Sequence, residues 1–217
     1  EKELFAGFSS ESQAKAYAAK VKEAGADFII VAGGGRTLDT AKYAASFADV
    51  MLITVPTISA TNASYRRNTM AYTDDGKYIS GYKNKRSPMF VFADADILGK
   101  QPLRYLYSGI IDAMARWYES KPYRDIYPNH THQRFAVDSA KIMYDYFTMN
   151  AEAITEAFSS GKPNDMVVET VTNIIGVCGV GANFMSDIVL QGFAHPFYNM
   201  VTNISKEHEK MHGEIIG

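Results

Sequence analysis

The sequence predicts an α/β fold, in which a parallel-sheet domain is followed by a domain made of helices. In the first half, three short apolar runs at 28–32, 50–55 and 89–93 are continuous rather than alternating, and a helical segment separates the first two. Such runs are typical of strands buried on both faces of a parallel sheet. Beyond Pro102 the apolar residues follow helical spacing without a comparable β-branched run. The predicted domains are 1–101 and 102–217.

Capping and turn residues delimit the elements of the first half. The run 9–12 offers N-cap candidates for a helix at 14–23, and Gly25 ends that helix. Asp75-Gly76 predicts the turn of a β-hairpin. The set predicted for this half comprises helices at 14–23 and 37–47, strands at 28–32, 50–55 and 89–93, and weaker strands at 68–72 and 77–80.

The second half is predicted to contain helices alone. Its apolar residues recur at helical spacing, and turn residues separate the periodic segments. We place helices at 103–120, 133–149, 151–159, 164–178 and 187–201.

Composition narrows the class of partner. The chain has 217 residues and 47% apolar content, enough for a sizeable core. A net charge of −2 argues against binding to nucleic acid, because nucleic-acid binders usually carry a positive excess. The single cysteine, Cys178, fits a reducing, cytoplasmic compartment. The sequence has no run of about 18 apolar residues, so we predict no membrane span. We expect a small-molecule partner.

A glycine-rich segment joins the first strand to the second helix. Gly33, Gly34 and Gly35 are followed by Arg36 and Thr37, directly after the apolar run 28–32. Glycines let backbone N–H groups approach an anion, and the first turn of a helix offers unpaired donors, so the segment could cradle a phosphate. It matches neither the Gly-x-Gly-x-x-Gly fingerprint nor a P-loop, and a tight strand-to-helix turn is the alternative.

Three residues of the helical half are candidate metal ligands: Asp112, His195 and His212. Asp112 and His195 lie in apolar surroundings, where a carboxylate is costly without a partner. Two imidazoles and a carboxylate suit Zn²⁺ or Fe²⁺. Each histidine taken alone is as readily explained as a packing or surface residue.

Four segments occur in the order seen in one family. They are the glycine segment, Pro56–Ala63, Gly109–Ala113 with the Trp117-Tyr118-Glu119 that follows, and His212-Gly213-Glu214. With them the chain resembles the iron-containing alcohol dehydrogenase superfamily, glycerol dehydrogenase branch. The resemblance implies a Rossmann-like domain followed by an all-α domain, the dehydroquinate synthase-like fold. It also implies that the chain is the middle of such an enzyme, without its N- and C-terminal parts, and that the enzyme forms homo-oligomers.

The resemblance also implies roles for individual residues. Asp112, His195 and His212 match the metal ligands, for zinc or iron, and Asn62 falls at a substrate-binding position where glycerol dehydrogenases carry aspartate. Asp39 and Lys42 match the continuation of the glycine loop into its helix. The cofactor, NAD or NADP, would be bound by Gly33, Gly34, Gly35, Arg36 and Thr37 at the pyrophosphate and by Thr57, Ser59 and Tyr72 at the nicotinamide half.

The function that follows from the resemblance is a metal-dependent, NAD(H)-linked oxidoreductase. It would interconvert a small alcohol, either a polyol or a hydroxy acid, and its carbonyl compound; Asn62 favours the hydroxy acid over glycerol. Two alternatives stay open. One is a catalytically silent relative that binds nucleotide. The other is a dehydroquinate-synthase-like lyase, although such enzymes carry glutamate at the position of Asp112.

Overall fold

The structure is a computed structural model that describes residues 2–5, 7–185, 192–205 and 210–217. It divides into two compact units. The sheet unit comprises Glu1–Thr57 and Ala63–Phe92, and the helical unit comprises Ile58–Asn62 and Ala93–Gly217. The division lies before the boundary predicted between 101 and 102, because the short helix at Ala95–Leu98 packs against a helix of the second unit.

The sheet unit combines a parallel sheet with an antiparallel hairpin. One three-stranded sheet is parallel, and the remaining two strands pair antiparallel, so the predicted α/β class with a parallel sheet is confirmed. The elements are α1 (Glu11–Glu23), β1 (Phe28–Gly33), α2 (Gly35–Ala48), β2 (Met51–Pro56), β3 (Asn68–Tyr72), β4 (Tyr78–Lys83) and β5 (Phe90–Val91), with sheet order β1-β2-β5 and a β3-β4 hairpin.

The parallel sheet is covered on one face only, within the described residues. Val31 and Leu52 are buried against Leu38 of α2. On the opposite face, Phe28 is 48% exposed and Ile30 is 61% exposed. The prediction that these strands are buried on both faces is therefore wrong for this chain, since the described helix that packs on the strands lies on one side of them.

A buried ion pair joins α2 to β3. Lys42 Nζ lies 2.6 Å from Asp39 Oδ1 and donates to the Asn68 carbonyl at 2.6 Å. Asp39 Oδ2 accepts a hydrogen bond from the Met70 N–H at 3.1 Å. Burial lowers the pKa of Lys42, and the Asp39 carboxylate opposes that shift. Asp39 and Lys42 thus stabilise the packing of α2 against β3 within this unit.

The helical unit is built around one long helix. In residues 93–217 the described elements are helical throughout, as predicted, and α6 packs against both α4 and α8. The elements are α3 (Ala95–Leu98), α4 (Leu103–Ser120), α5 (Tyr123–Ile126), α6 (Thr131–Ser159), α7 (Asp165–Val171), a π-helical turn (Thr172–Val177), α8 (Cys178–Phe184), α9 (Ala194–Ser205) and α10 (His212–Ile216).

Four of the predicted helices differ from those in the structure. The helices predicted at 133–149 and 151–159 are one helix of 29 residues, because the Asn150 side chain donates to the Tyr146 carbonyl at 2.8 Å within the helix instead of ending it. The helix predicted at 164–178 continues through the π-helical turn to Phe184. Of the helix predicted at 187–201, residues 187–191 lie outside the described residues, and the described part begins at Ala194.

Among the described residues one helical stretch, Asp165–Phe184, has the length and mean hydropathy that a membrane span requires, with a mean hydropathy of 1.3 in its most apolar window. Within the structure, 56% of that window is buried. Burial inside the protein is what a core helix also shows, so length and composition alone are weak evidence for a span.

Replacing Lys42 with methionine should leave the Asp39 carboxylate buried without its cation. We expect the free energy of unfolding to fall by about 3–5 kcal/mol, measured by urea denaturation followed by circular dichroism. The matched control is Lys85→Met, because the Lys85 side chain is 55% exposed and pairs with Asp49 at 3.4 Å. That control should lose less than about 1 kcal/mol. Equal losses in the two variants would contradict the role given to burial.

Candidate metal centre

Three charged residues lie along one face of α4. Asp112, Arg116 and Glu119 stand at positions i, i+4 and i+7, which places them on neighbouring turns of the same side of the helix. Asp112 is 2% exposed and Arg116 is 3% exposed. Ionised groups at this depth need partners, and the rest of the centre supplies them.

His195 reaches the centre from the first turn of α9. Its Nδ1 lies 2.5 Å from Glu119 Oε2, and its backbone N–H donates to Glu119 Oε1 at 3.0 Å. With the Nδ1 hydrogen donated to Glu119, the Nε2 atom faces Asp112 Oδ1 at 3.2 Å. An imidazole lone pair and a carboxylate oxygen repel each other at this distance unless a proton or a cation lies between them.

His212 is the first residue of α10 and approaches the same carboxylate oxygen. Its Nε2 lies 3.4 Å from Asp112 Oδ1. The ring packs edge-on against Tyr198, with centroids 4.2 Å apart, and its centroid lies 5.3 Å from that of His195. Both imidazoles therefore converge on one oxygen of Asp112.

The position of α10 depends on contacts with α4. Arg104 on α4 binds the Glu214 carboxylate through two hydrogen bonds of 2.5 and 2.7 Å, which lower the pKa of Glu214 to about 2. The Gly213 N–H donates to Ser108 Oγ at 3.0 Å. A Cβ atom at Gly213 would collide with the Ser108 carbonyl oxygen. Glycine at 213 is thus required for the helices to approach closely enough to place His212.

Mutual pairing sets the protonation of the cluster. Burial favours a raised pKa for Asp112, but Arg116, His212 and His195 together hold that pKa well below its usual range. Burial also acts to lower the pKa of both histidines; hydrogen bonds to Asp112 and Glu119 raise that of His195, whereas the pKa of His212 stays lowered. Asp112 is therefore ionised, and His212 is neutral, at neutral pH.

Asp112, His195 and His212 offer one ligand atom each, and these atoms lie within 4.8 Å of one another. The set combines one carboxylate oxygen with two imidazole nitrogens, the donor types that Zn²⁺ and Fe²⁺ accept. The residues present therefore fit a divalent transition metal. The structure brings together the three candidate ligands that the sequence singled out, although they are far apart along the chain.

Asn62 lies in the helical unit and is 3% exposed. Its Nδ2 atom lies 3.0 Å from Cys178 Sγ as a donor, and Cys178 in turn interacts with the guanidinium of Arg116. The predicted substrate-binding residue is thus linked through one sulfur atom to a charged residue of the centre. No role for Arg116 or Cys178 followed from the sequence.

The predicted phosphate cradle forms the junction between β1 and α2. Gly34 is the N-cap, and the first helical hydrogen bond runs from Leu38 N–H to the Gly34 carbonyl. The N–H groups of Gly35, Arg36 and Thr37 accordingly have no acceptor within the helix. The Arg36 guanidinium lies 5.1 Å from the ring centroid of Phe8. Free N–H groups at a helix N-terminus favour an anion, and binding of a pyrophosphate here stays a prediction.

Three further residues were predicted to contact the cofactor. Thr57 follows β2, and its N–H donates to the Gly33 carbonyl at 3.1 Å, beside the cradle. Tyr72 ends β3 and packs its ring 6.0 Å from that of Phe8. Ser59 is fully buried, with its N–H donating to Gln101 Oε1 at 2.8 Å and its Oγ accepting from Gln101 Nε2 at 2.7 Å. Their roles stay predictions.

Comparison with known proteins identifies the relatives. Residues 3–95 match the family profile "Iron-containing alcohol dehydrogenase". A glycerol dehydrogenase of Thermotoga maritima is 28% identical over 98% of this chain. Nearly the whole chain is thus similar to a glycerol dehydrogenase, and its first part is similar to the iron-containing alcohol dehydrogenase family. A glycolaldehyde reductase of Halobacterium salinarum is 27% identical over 97% of the chain. The predicted resemblance is therefore confirmed.

One solved structure has a similar fold over nearly the whole chain. The crystal structure of a probable glycerol dehydrogenase from Sinorhizobium meliloti 1021 superimposes on 99% of this chain with a TM-score of 0.86 and 25% identity. The chain covers 60% of that structure. It spans 58% of the length of each of the two sequence relatives.

Replacing Gly213 with alanine should push α10 away from α4, because the new methyl group meets the Ser108 backbone. We expect faster amide hydrogen exchange throughout His212–Ile216, measured by mass spectrometry. The control is Gly176→Ala, since a Cβ there would meet only the Thr172 side chain, at 3.8 Å. Unchanged exchange in α10 of the Gly213 variant would show that its position does not depend on this close approach.

Proposed function

We propose that the natural-length protein is a metal-dependent, NAD(H)-linked oxidoreductase that interconverts a small alcohol and its carbonyl compound. The observation that carries this proposal is the convergence of Asp112, His195 and His212, whose ligand atoms lie within 4.8 Å of one another. The names of the relatives, a glycerol dehydrogenase and a glycolaldehyde reductase, support a small hydroxy compound or its aldehyde as substrate.

Asp112, His195 and His212 would hold Zn²⁺ or Fe²⁺. When bound, the cation supplies a Lewis acid for an alcohol or carbonyl oxygen, and NAD(H) supplies the hydride acceptor or donor. Glu119 keeps the hydrogen of His195 on Nδ1, so that Nε2 is the ligand atom. Arg116, whose Nη2 lies 3.5 Å from Asp112 Oδ1, holds that carboxylate ionised.

The proposal includes the finer arrangement of the fold. The sheet unit would belong to a Rossmann-like domain and the helical unit to an all-α domain, the dehydroquinate synthase-like fold, which the likeness to the probable glycerol dehydrogenase supports. NAD or NADP would bind with its pyrophosphate at the N–H groups of Gly35, Arg36 and Thr37. The protein would be a cytoplasmic homo-oligomer that acts on small molecules, without a nucleic-acid or membrane partner.

The first test is metal content. The natural-length protein, purified without chelator, should contain about one zinc or iron atom per chain by elemental mass spectrometry. Asp112→Ala should contain less than a tenth of that amount, because it removes the only carboxylate of the ligand set. Asp138→Ala, at a partly exposed carboxylate that pairs with Arg124 at 3.6 Å, is the matched control and should keep its metal.

Equal metal content in the wild type and in Asp112→Ala would mark the metal as adventitious. Negligible metal in both proteins, even after incubation with zinc or ferrous salts, would overturn the proposed centre. That outcome would favour the catalytically silent relative that binds nucleotide, and NADH titration followed by fluorescence would then test the cradle on its own.

Glu119 should affect metal affinity through His195. Glu119→Gln removes the charge that accepts the His195 Nδ1 hydrogen, so we expect zinc affinity to fall about 10- to 100-fold in a competition titration with a chromophoric chelator. Glu156→Gln, an exposed position on α6, is the control and should leave the affinity unchanged. Unchanged affinity in both variants would show that Glu119 does not support the ligand.

A further inference from the structure

Arg116 is a buried cation that interacts with Cys178, Asp112 and Glu119 and still has an unused N–H donor among the described residues. Its side chain is 3% exposed, and its Nε atom has no hydrogen-bond partner within residues 2–5, 7–185, 192–205 and 210–217. The Nη2 atom lies 3.5 Å from Asp112 Oδ1 and 3.5 Å from His195 Nε2, both longer than an ordinary hydrogen bond. A guanidinium has five N–H donors, and burial makes an unused donor costly.

The two atoms that Nη2 approaches are the ones assigned to the metal. Asp112 Oδ1 and His195 Nε2 belong to the ligand set, so the lone pairs that face Arg116 are those that a cation would use. The guanidinium therefore stands beside the ligand atoms with donor capacity left over. A group that enters the centre with acceptor oxygens would use this capacity.

The charge of the centre favours an anion as that group. Asp112 and Glu119 contribute two negative charges, and Arg116 contributes one positive charge. A divalent cation, which histidines bind in their neutral form, would then leave one net positive charge in a largely buried site. An uncharged polyol does not balance this excess, whereas a carboxylate does.

The neighbours of Arg116 do not already supply an anion at the substrate position. Asn62, where glycerol dehydrogenases are expected to carry aspartate, is a neutral amide whose Nδ2 contacts Cys178 Sγ at 3.0 Å. An aspartate here would put a third carboxylate next to the sulfur that interacts with Arg116. With asparagine, no third carboxylate lies beside this sulfur, and a carboxylate from outside the chain can approach the guanidinium.

We infer that Arg116 binds the carboxylate of the substrate, and that the substrate class is 2-hydroxy acids and their 2-oxo counterparts. This inference rests on the proposed function and names the substrate for it. The carboxylate belongs on the carbon next to the reacting one, because Nη2 is within 3.5 Å of two ligand atoms. A guanidinium can bind both carboxylate oxygens at once, which fixes the orientation of the acid.

The test compares two substrates that differ in one group. Lactate and propane-1,2-diol share a carbon skeleton and a secondary hydroxyl, but only lactate carries a carboxylate. For the natural-length, metal-loaded protein with NAD, we expect kcat/KM for lactate to exceed that for the diol by about 100-fold. Arg116→Met should lower this ratio about 100-fold, even if kcat/KM also falls equally for both substrates. Arg116→Lys should restore part of the ratio.

Arg134→Met, at an exposed arginine of α6, is the matched control and should leave the ratio unchanged. Zinc content and thermal unfolding of each variant show whether the centre is intact. Equal losses for lactate and the diol in Arg116→Met with full metal content would overturn the inference, because Arg116 would then only position Asp112. A wild-type preference for the diol would overturn it without any variant.

A binding measurement separates this inference from the proposed function. Oxamate, an unreactive analogue of a 2-oxo acid, is titrated into the metal-loaded protein with NADH by calorimetry. If Arg116→Met weakens oxamate binding at least tenfold, the carboxylate site is supported even when the protein turns over no alcohol. In that case only the proposed reaction is rejected. If the wild type turns over the diol and does not bind oxamate, the carboxylate site is rejected and the proposed oxidoreductase function is retained.

Discussion

The candidate centre depends on one buried carboxylate. Asp112 is almost fully enclosed, and an unpaired charge at that depth would cost several kcal/mol. Arg116 pairs with it from the same helix, while His195 and His212 reach it from α9 and α10. The middle of α4 and the first turns of α9 and α10 must therefore meet at one oxygen atom. The glycine at position 213 and the Arg104–Glu214 pair are the means by which α10 meets α4.

The local part of the centre could be predicted from the sequence, and the long-range part could not. The apolar neighbours of Asp112 correctly indicated a carboxylate that needs a cation. Arg116 and Glu119 were missed, although spacings of four and seven residues from Asp112 on a predicted helix place all three on one face. The sequence offered His195 and His212 as candidates, but their assembly with Asp112 followed only from the resemblance, because no local pattern encodes which distant segments fold against α4.

The same limit explains the outcomes for the fold. Strand positions followed from apolar runs and turn residues, which act within a few residues, and the parallel sheet is as predicted. The prediction that both faces of the sheet are buried was wrong, because burial depends on what packs against Phe28 and Ile30. The sequence of a strand does not contain that information. The predicted break near Asn150 failed for a local reason, since its amide bonds back to Tyr146 within the helix.

The π-helical turn at Thr172–Val177 has a consequence for the phase of the helix that follows it. A π turn accommodates one residue more than an α turn, which rotates everything after it by roughly 100° relative to an unbroken α-helix. Cys178 is the first residue after the turn and contacts Asn62. An unbroken helix of the same sequence would direct this thiol elsewhere. The one extra residue of the π turn thus determines where the Cys178 thiol lies beside Arg116, although the turn is distant in sequence from Asp112.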